Sequence, residues 1–444
     1  MHETAILRPQ QARVEPRFGR SVAIAGTAVL VASPNDGDDG TAGGAVHVFG
    51  DSKSGWRRVQ RLFSVDPASQ DRFAQCVAAD GSRMVVGRDR ADDVGQDAGA
   101  VAVFRRNGYH FRLEADLLPS DAAPADGFGG AVAIGAASGG PTIVVGAPRD
   151  DGPGVDSGSA SVFTFVEGAW RATTKLVAPD AAAGDWFGHA VAVSDSSIAV
   201  GAYGDDDRGE KSGAVYLFSL GSEGWRYDAK LAPEDSKQGD WFGFACALDR
   251  TTLAIGAPRD DGSGESAGCV RLYRKTTHGW EFESTLRPPP GSPTVWFGYA
   301  VALDRGRLLV GAPGDDTDGN DSGVAYLYRR ERDAWTLSAV LAPSAPIEGA
   351  QFGACVALHD DLAAAGRIWD EDGEQVSGTA WVFRLPHAEG DSRGSRPPRG
   401  SDRPSDDQPT APRRPVAPTT ESPAAPRAAP PTPPPTPPPI GAST

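Results

Sequence analysis

Short apolar runs punctuate this chain at regular intervals, and no segment has the period of a helix. Near residue 190 the run DWFGHAVAVSD alternates small apolar and polar positions, which predicts a short strand, A. SIAVGAYG follows and is apolar on both faces, as expected of a strand (B) buried on both sides. The polar loop DDDRGEKSG leads to AVYLFSL (strand C) and GWRYDAKLAP (strand D). All four runs are rich in β-branched or aromatic residues and are bounded by Gly, Asp, Ser or Pro. The pattern predicts one four-stranded antiparallel sheet.

The same pattern recurs seven times. Its anchor is an aromatic–small pair: Phe18-Gly19, Phe73-Ala74, Phe128-Gly129, Phe187-Gly188, Phe242-Gly243, Phe297-Gly298 and Phe352-Gly353. The anchors lie 55, 55, 59, 55, 55 and 55 residues apart. A four-residue insertion around Ala136–Gly140, in the A–B turn of the third copy, accounts for the one long interval. A constant 12 residues separate the small residue that ends strand B (Gly201, for example) from the one that precedes strand C (Gly213), which implies one loop geometry used throughout.

One copy cannot bury its apolar face alone, so the copies must pack on each other. Seven four-stranded sheets arranged radially make an all-β, seven-bladed β-propeller. The alternative, a solenoid, needs atypical capping repeats at its ends. Here the seventh copy stops after strand C (Thr379–Phe383), and a strand D sequence stands instead at the start of the chain, Thr4–Pro9. The N-terminal strand is therefore expected to complete blade 7 and close the ring over residues 1–386. The anchor phenylalanines are expected in the core. Trp56, Trp170, Trp225, Trp280 and Trp335, with Tyr109, open strand D and are expected to pack in the outer layer.

The order FG…GAP…GxVYxF resembles the FG-GAP repeats of the integrin α-subunit β-propeller. Gly146-Ala147-Pro148, Gly256-Ala257-Pro258 and Gly311-Ala312-Pro313 carry the resemblance literally. It implies the propeller fold, a role in adhesion-like protein recognition, and a secreted or cell-surface setting. It also suggests calcium, but the family's calcium loops lie between the FG and GAP strands. That stretch here reads Ser194-Asp195-Ser196-Ser197 or Asp249-Arg250-Thr251-Thr252, with too few carboxylates for a six- to eight-oxygen cage.

Charge narrows the partners. The net charge is −16, with no basic stripe in the sequence, so nucleic acid is not expected. No run approaches 18 apolar residues, and the start MHETAILRPQ has neither a basic nor an apolar leader region, so no membrane span and no secretory signal are read. A monomer is expected. Cys76, Cys246, Cys269 and Cys355 share no metal-binding spacing and read as small apolar residues.

Antiparallel strands place the B–C loops and the D-to-A connections on one face. That face is expected to be acidic. Its candidate binding residues include Asp150, Asp151, Asp205, Asp206, Asp260, Asp261, Asp315 and Asp316. Acidic residues recur in the B–C loop of every blade, which favours a structural role, because Asp tolerates turn conformations and caps local N–H groups. Asp316-x-Asp318-x-Asn320 and Asp370-x-Asp372-x-Glu374 alternate oxygen ligands and are candidate calcium sites, though neither completes an EF-type loop.

Trp186, Trp241 and Trp296 precede the anchors of blades 4, 5 and 6, where the other copies have Arg17, Arg72, Gly127 and Gln351. These three break the sevenfold symmetry and are the leading candidates for a surface that binds a protein or a glycan. The alternative is that each Trp only covers its own blade junction.

No enzymatic activity is expected. Gly264-Glu265-Ser266-Ala267-Gly268 fits G-x-S-x-G but lies in a B–C loop rather than a strand–turn–helix. A non-catalytic binding module is the expectation, with a structural or surface-display propeller and an unrecognised hydrolase as rivals. Residues 387–444 hold 17 of the 37 prolines and no Trp, Tyr or Phe, so a disordered Pro-rich tail is expected there.

Overall fold

The ladder that decides the architecture joins the two ends of the described chain. In the computed structural model, Glu3–Leu7 runs antiparallel to Thr379–Arg384, with Ala5 opposite Val382, Ile6 opposite Trp381 and Leu7 opposite Ala380. Residues 3–9, 17–36, 43–64, 71–137, 140–290, 295–367 and 378–386 are described. The expected tail, 387–444, lies outside them, as do the candidate ligands Asp370, Asp372 and Glu374.

The described strands form seven four-stranded sheets. Six run A-B-C-D in chain order; the seventh is completed by the N-terminal strand. Blade 4 comprises Ala190–Ser194, Ser197–Ala202, Ala214–Gly221 and Gly224–Leu231. The propeller and its closure are as the repeat pattern predicts, and closure leaves only short outer edges unpaired.

The anchor phenylalanines hold blade to blade. All seven are at most 1% exposed. Phe187 donates its N–H to the Ser157 carbonyl of the preceding blade at 3.0 Å. Its ring meets Phe218 of its own blade edge-on at 6.1 Å. Six of the seven blades repeat this aromatic pair. Burying each ring contributes roughly 1.5–3 kcal/mol.

The following residue sits in the left-handed region. Gly188 has φ 95°, and a Cβ there would lie 2.3 Å from the Ser159 carbonyl oxygen. Blade 2 has Ala74 at this position, at φ 72°.

The insertion in blade 3 lengthens a ladder. Ala131–Ala137 pairs with Gly140–Ala147 along its whole length, and Ala136 reaches blade 4, where its carbonyl accepts from Asp195 N–H at 2.9 Å. The strand D aromatics all pack against the buried clusters, as expected of an outer layer.

Candidate functional site

The B–C loops owe their shape to their carboxylates. In five blades the second Asp of the loop accepts, through Oδ1, the backbone N–H five residues on. The pairs are Asp92–Asp97, Asp151–Asp156, Asp206–Lys211, Asp261–Ser266 and Asp316–Asp321, at 2.7–2.9 Å. Each donor residue has φ between 47° and 55°. The carboxylate thus steadies a left-handed residue that is not glycine. Asp151, Asp206, Asp261 and Asp316 are exposed but already occupied by this cap.

In blades 1, 3, 4, 5 and 6 the first Asp of the loop turns inward. Asp205 accepts Tyr216 Oη at 2.8 Å and Lys230 Nζ at 2.7 Å. Lys230 also reaches Asp180 (2.8 Å) and Asp207 (2.6 Å). Burial opposes the Lys230 charge, yet the hydrogen bonds it donates to these three carboxylates hold its ammonium above the usual lysine range. Asp150 pairs with Lys175 at 2.6 Å, Asp260 with Arg287, and Asp36 with Arg61 at 2.6 Å and His47 at 2.8 Å. Blade 2 reverses the arrangement: Ala91 fills the loop position, and Arg88 pairs with Asp116 on strand D at 3.3 Å.

The candidate calcium loop of blade 6 departs from this scheme. Asp315 is fully buried and accepts Tyr326 Oη at 2.6 Å, but Val340 stands where blade 4 has Lys230. Asp316 caps Asp321, and Asp318 and Asn320 are exposed. Among the described residues no group of three or more His, Cys, Asp or Glu side chains is placed to hold a metal ion.

The three tryptophans stand on the same face as these loops and are bonded to them. Trp186, Trp241 and Trp296 donate their N–H to the carbonyls of Asp156, Lys211 and Ser266 at 3.1–3.2 Å. All three are half-buried, at φ 52–58°. The left-handed backbone itself is common to all seven copies, since Arg17, Arg72, Gly127 and Gln351 share it. Only the side chains break the symmetry.

Those side chains belong to a continuous belt. Trp186 meets Tyr203 at 4.9 Å; Tyr203 meets His189 (4.5 Å), Phe244 (5.4 Å) and Trp241 (5.5 Å). Trp241 stacks on Phe244 at 5.6 Å and 18°, Phe244 meets Tyr299 at 4.9 Å, and Tyr299 meets Trp296 at 6.4 Å. Burial pushes the His189 imidazole down to about 4, with the Arg20 charge adding to it, so His189 is neutral at physiological pH. Tyr203 is pushed up to about 12 by burial.

Seven successive segments, 1–49, 56–104, 111–163, 170–218, 225–273, 280–328 and 335–383, match the FG-GAP repeat family model. This chain is an FG-GAP repeat protein. Each matched segment starts at a strand D and ends in the next strand C, the same frame that closes the ring. No curated protein matches the chain.

In this FG-GAP propeller the first strands line an axial cavity of about 280 Å³. Arg20, Gln75 and Tyr299 line it, with Cys76, Cys246 and Cys355 on the wall. Burial pushes all three thiols up to about 12, so they are neutral and inert.

The FG-GAP repeat holds a second variable column that the sequence reading passed over, two residues after each Phe: Arg20, Gln75, Gly130, His189, Phe244, Tyr299 and Ala354. Aligning the copies on this column would have found the inner half of the belt. Among the described residues no helix is long and apolar enough to cross a membrane.

Proposed function

We propose that this propeller is a non-catalytic binding module that recognises a protein partner through its loop-rich face. The observation that carries this is the belt of seven mutually contacting rings across blades 4–6. Half-buried aromatic rings on a rigid scaffold supply large contact area at low entropic cost. The capped loops around them are already ordered, so binding forfeits little conformational freedom.

Glycan binding is less well supported. Lys211 Nζ lies 5.3 Å from the Trp186 ring centroid, and Arg259 lies 4.6 Å from that of Trp241. Each cation already covers a ring face that a sugar would need.

A hydrolase also lacks support. Ser266 of the G-x-S-x-G match is a left-handed loop residue whose N–H is bound by Asp261. The buried His47–Asp36 pair has its other ring nitrogen against Arg58 at 3.2 Å, which leaves no acceptor for a nucleophile's proton.

The test is partner capture by the full chain and by Trp186→Ala/Trp241→Ala/Trp296→Ala, read by quantitative cross-linking. Recovery in the variant should fall by about tenfold or more with the fold retained. A folded triple variant that captures every partner of the parent removes the reading.

A further inference from the structure

The aromatic belt occupies one arc of the inner face, and the complementary arc is basic. The column before each anchor, Trp in blades 4–6, is Arg17 in blade 1 and Arg72 in blade 2. The column after it supplies Arg20 to the axial cavity. Arg90 and Arg149 follow strand B in blades 2 and 3. Arg90 and Arg149 hold the repeat position that Arg259 holds in blade 5, where its guanidinium lies 4.6 Å from the Trp241 ring centroid, so they stand on the face of the belt. Arg72 is pushed below the ordinary arginine range by burial, and the charges of Arg90, Arg17 and Arg149 add to this.

Asp89 lies 3.7 Å from Arg72. Asp89 is 8% exposed, and its Oδ1 is buried with no hydrogen-bond partner. Burial raises its carboxyl against the pull of Arg72, Arg90, Arg149 and Arg20. Among the described residues Arg20, Arg90 and Arg149 make no ion pair and no side-chain hydrogen bond, and Arg149 is exposed. In a chain of net charge −16 these are unneutralised positive charges on one face, and Arg20 carries that charge into the lining of the axial cavity.

We propose that this arginine arc receives an acidic peptide segment of a protein partner, with a carboxylate seated at the cavity mouth among Arg20, Arg90 and Arg149. Guanidinium groups bind carboxylates through charge-assisted, often bidentate bonds. Apolar neighbours in the same segment can lie on Tyr299 and Phe244. The proposal rests on the reading of this face as a protein-binding surface and specifies the partner's charge. It reverses what the bulk composition suggests, because the acidic loops spend their carboxylates on their own backbone and cations.

The experiment is fluorescence anisotropy of fluorescein-labelled hexaglutamate with the full chain at low salt. Saturable binding is expected, weakening as salt rises. It should be about tenfold weaker or more in Arg20→Ala/Arg90→Ala/Arg149→Ala and unchanged in Arg226→Ala on an outer strand. Should the triple variant be unstable, Arg149→Glu alone, at an exposed position, must show the loss. No binding by the parent, or equal binding by the variants, overturns the proposal. So does binding of oligogalacturonate in place of hexaglutamate, which would make the occupant an acidic glycan. Failure here alongside retained Trp-dependent capture sinks this inference alone; loss of Trp dependence sinks the reading beneath it.

Discussion

The N–H of Trp241 donates to the carbonyl of Lys211 at 3.2 Å, across the junction between blades 4 and 5. Lys211 in turn has its own N–H held by Asp206 Oδ1 at 2.7 Å. A loop carboxylate of one blade thus positions a tryptophan of the next. Asp206→Ala should cost about 1–2 kcal/mol, since it removes a charged cap from a left-handed lysine. Asp206→Asn should retain most of the stability, because its amide oxygen accepts the same bond. Urea unfolding of the two variants checks this; equal losses would mean that the charge, not the bond, matters.

Blade 6 has a buried carboxylate without the cation that its counterparts in blades 1, 3, 4 and 5 have. Asp315 accepts a tyrosine hydroxyl as Asp205 does, but Val340 replaces the lysine. Val340→Lys should recreate the blade 4 arrangement and raise stability by about 1 kcal/mol. Calcium should leave the parent's melting temperature unchanged, because Asp316 is spent on its cap. A calcium-dependent rise in the parent that Val340→Lys abolishes would instead locate a cation at Asp315.

Ala74 holds at φ 72° a position that is glycine in the other six copies. The left-handed region costs an L-residue roughly 1–2 kcal/mol, partly offset by the extra chain entropy of glycine. Ala74→Gly should therefore stabilise the propeller by about 0.5–1 kcal/mol. A lower unfolding midpoint would show that the Ala74 methyl group contributes more packing than its backbone costs.

Two buried carboxyls shape the response to pH. Burial pushes Asp185 and Asp240 up to about 6, with repulsion from Asp205 and Asp260 respectively adding to it. Their folded values exceed the unfolded value of 3.8, so the native state binds protons more tightly than the unfolded chain. Their contribution to stability is most favourable below pH 4 and is lost as pH rises through about 6. Asp185→Asn/Asp240→Asn keeps the accepting oxygens for Ala182 and Lys237. The double variant should be more stable than the parent above pH 6, with the difference vanishing toward pH 4. Thermal melts across that range that run parallel would contradict the shifts.

The architecture was legible before any coordinate. A fixed period, an alternating pattern within it and a missing outer strand at one end leave a closed ring as the economical solution, because no blade buries its apolar face alone. Phe187 and its six counterparts could be placed in the core for the same reason. The acidic loops were harder. Asp205 and Asp206 are adjacent and chemically identical, yet one neutralises Lys230 inside the blade and the other caps an exposed turn.

The site depended on more than the repeat. Trp186, Trp241 and Trp296 stood out as departures from it, but Tyr203, His189, Phe244 and Tyr299 come from other columns. Radial packing brings the rings of neighbouring blades within about 5 Å of one another, His189 against Phe244 and Phe244 against Tyr299. The arginine arc has the same origin: Arg20, Arg72, Arg90 and Arg149 lie up to 129 positions apart and come from three successive blades. Local periodicity determines which residues form strands and which of them are buried. Which side chains share a mouth on the axis is a property of closure, and closure is a long-range event that brings residues 3–7 onto residues 379–384.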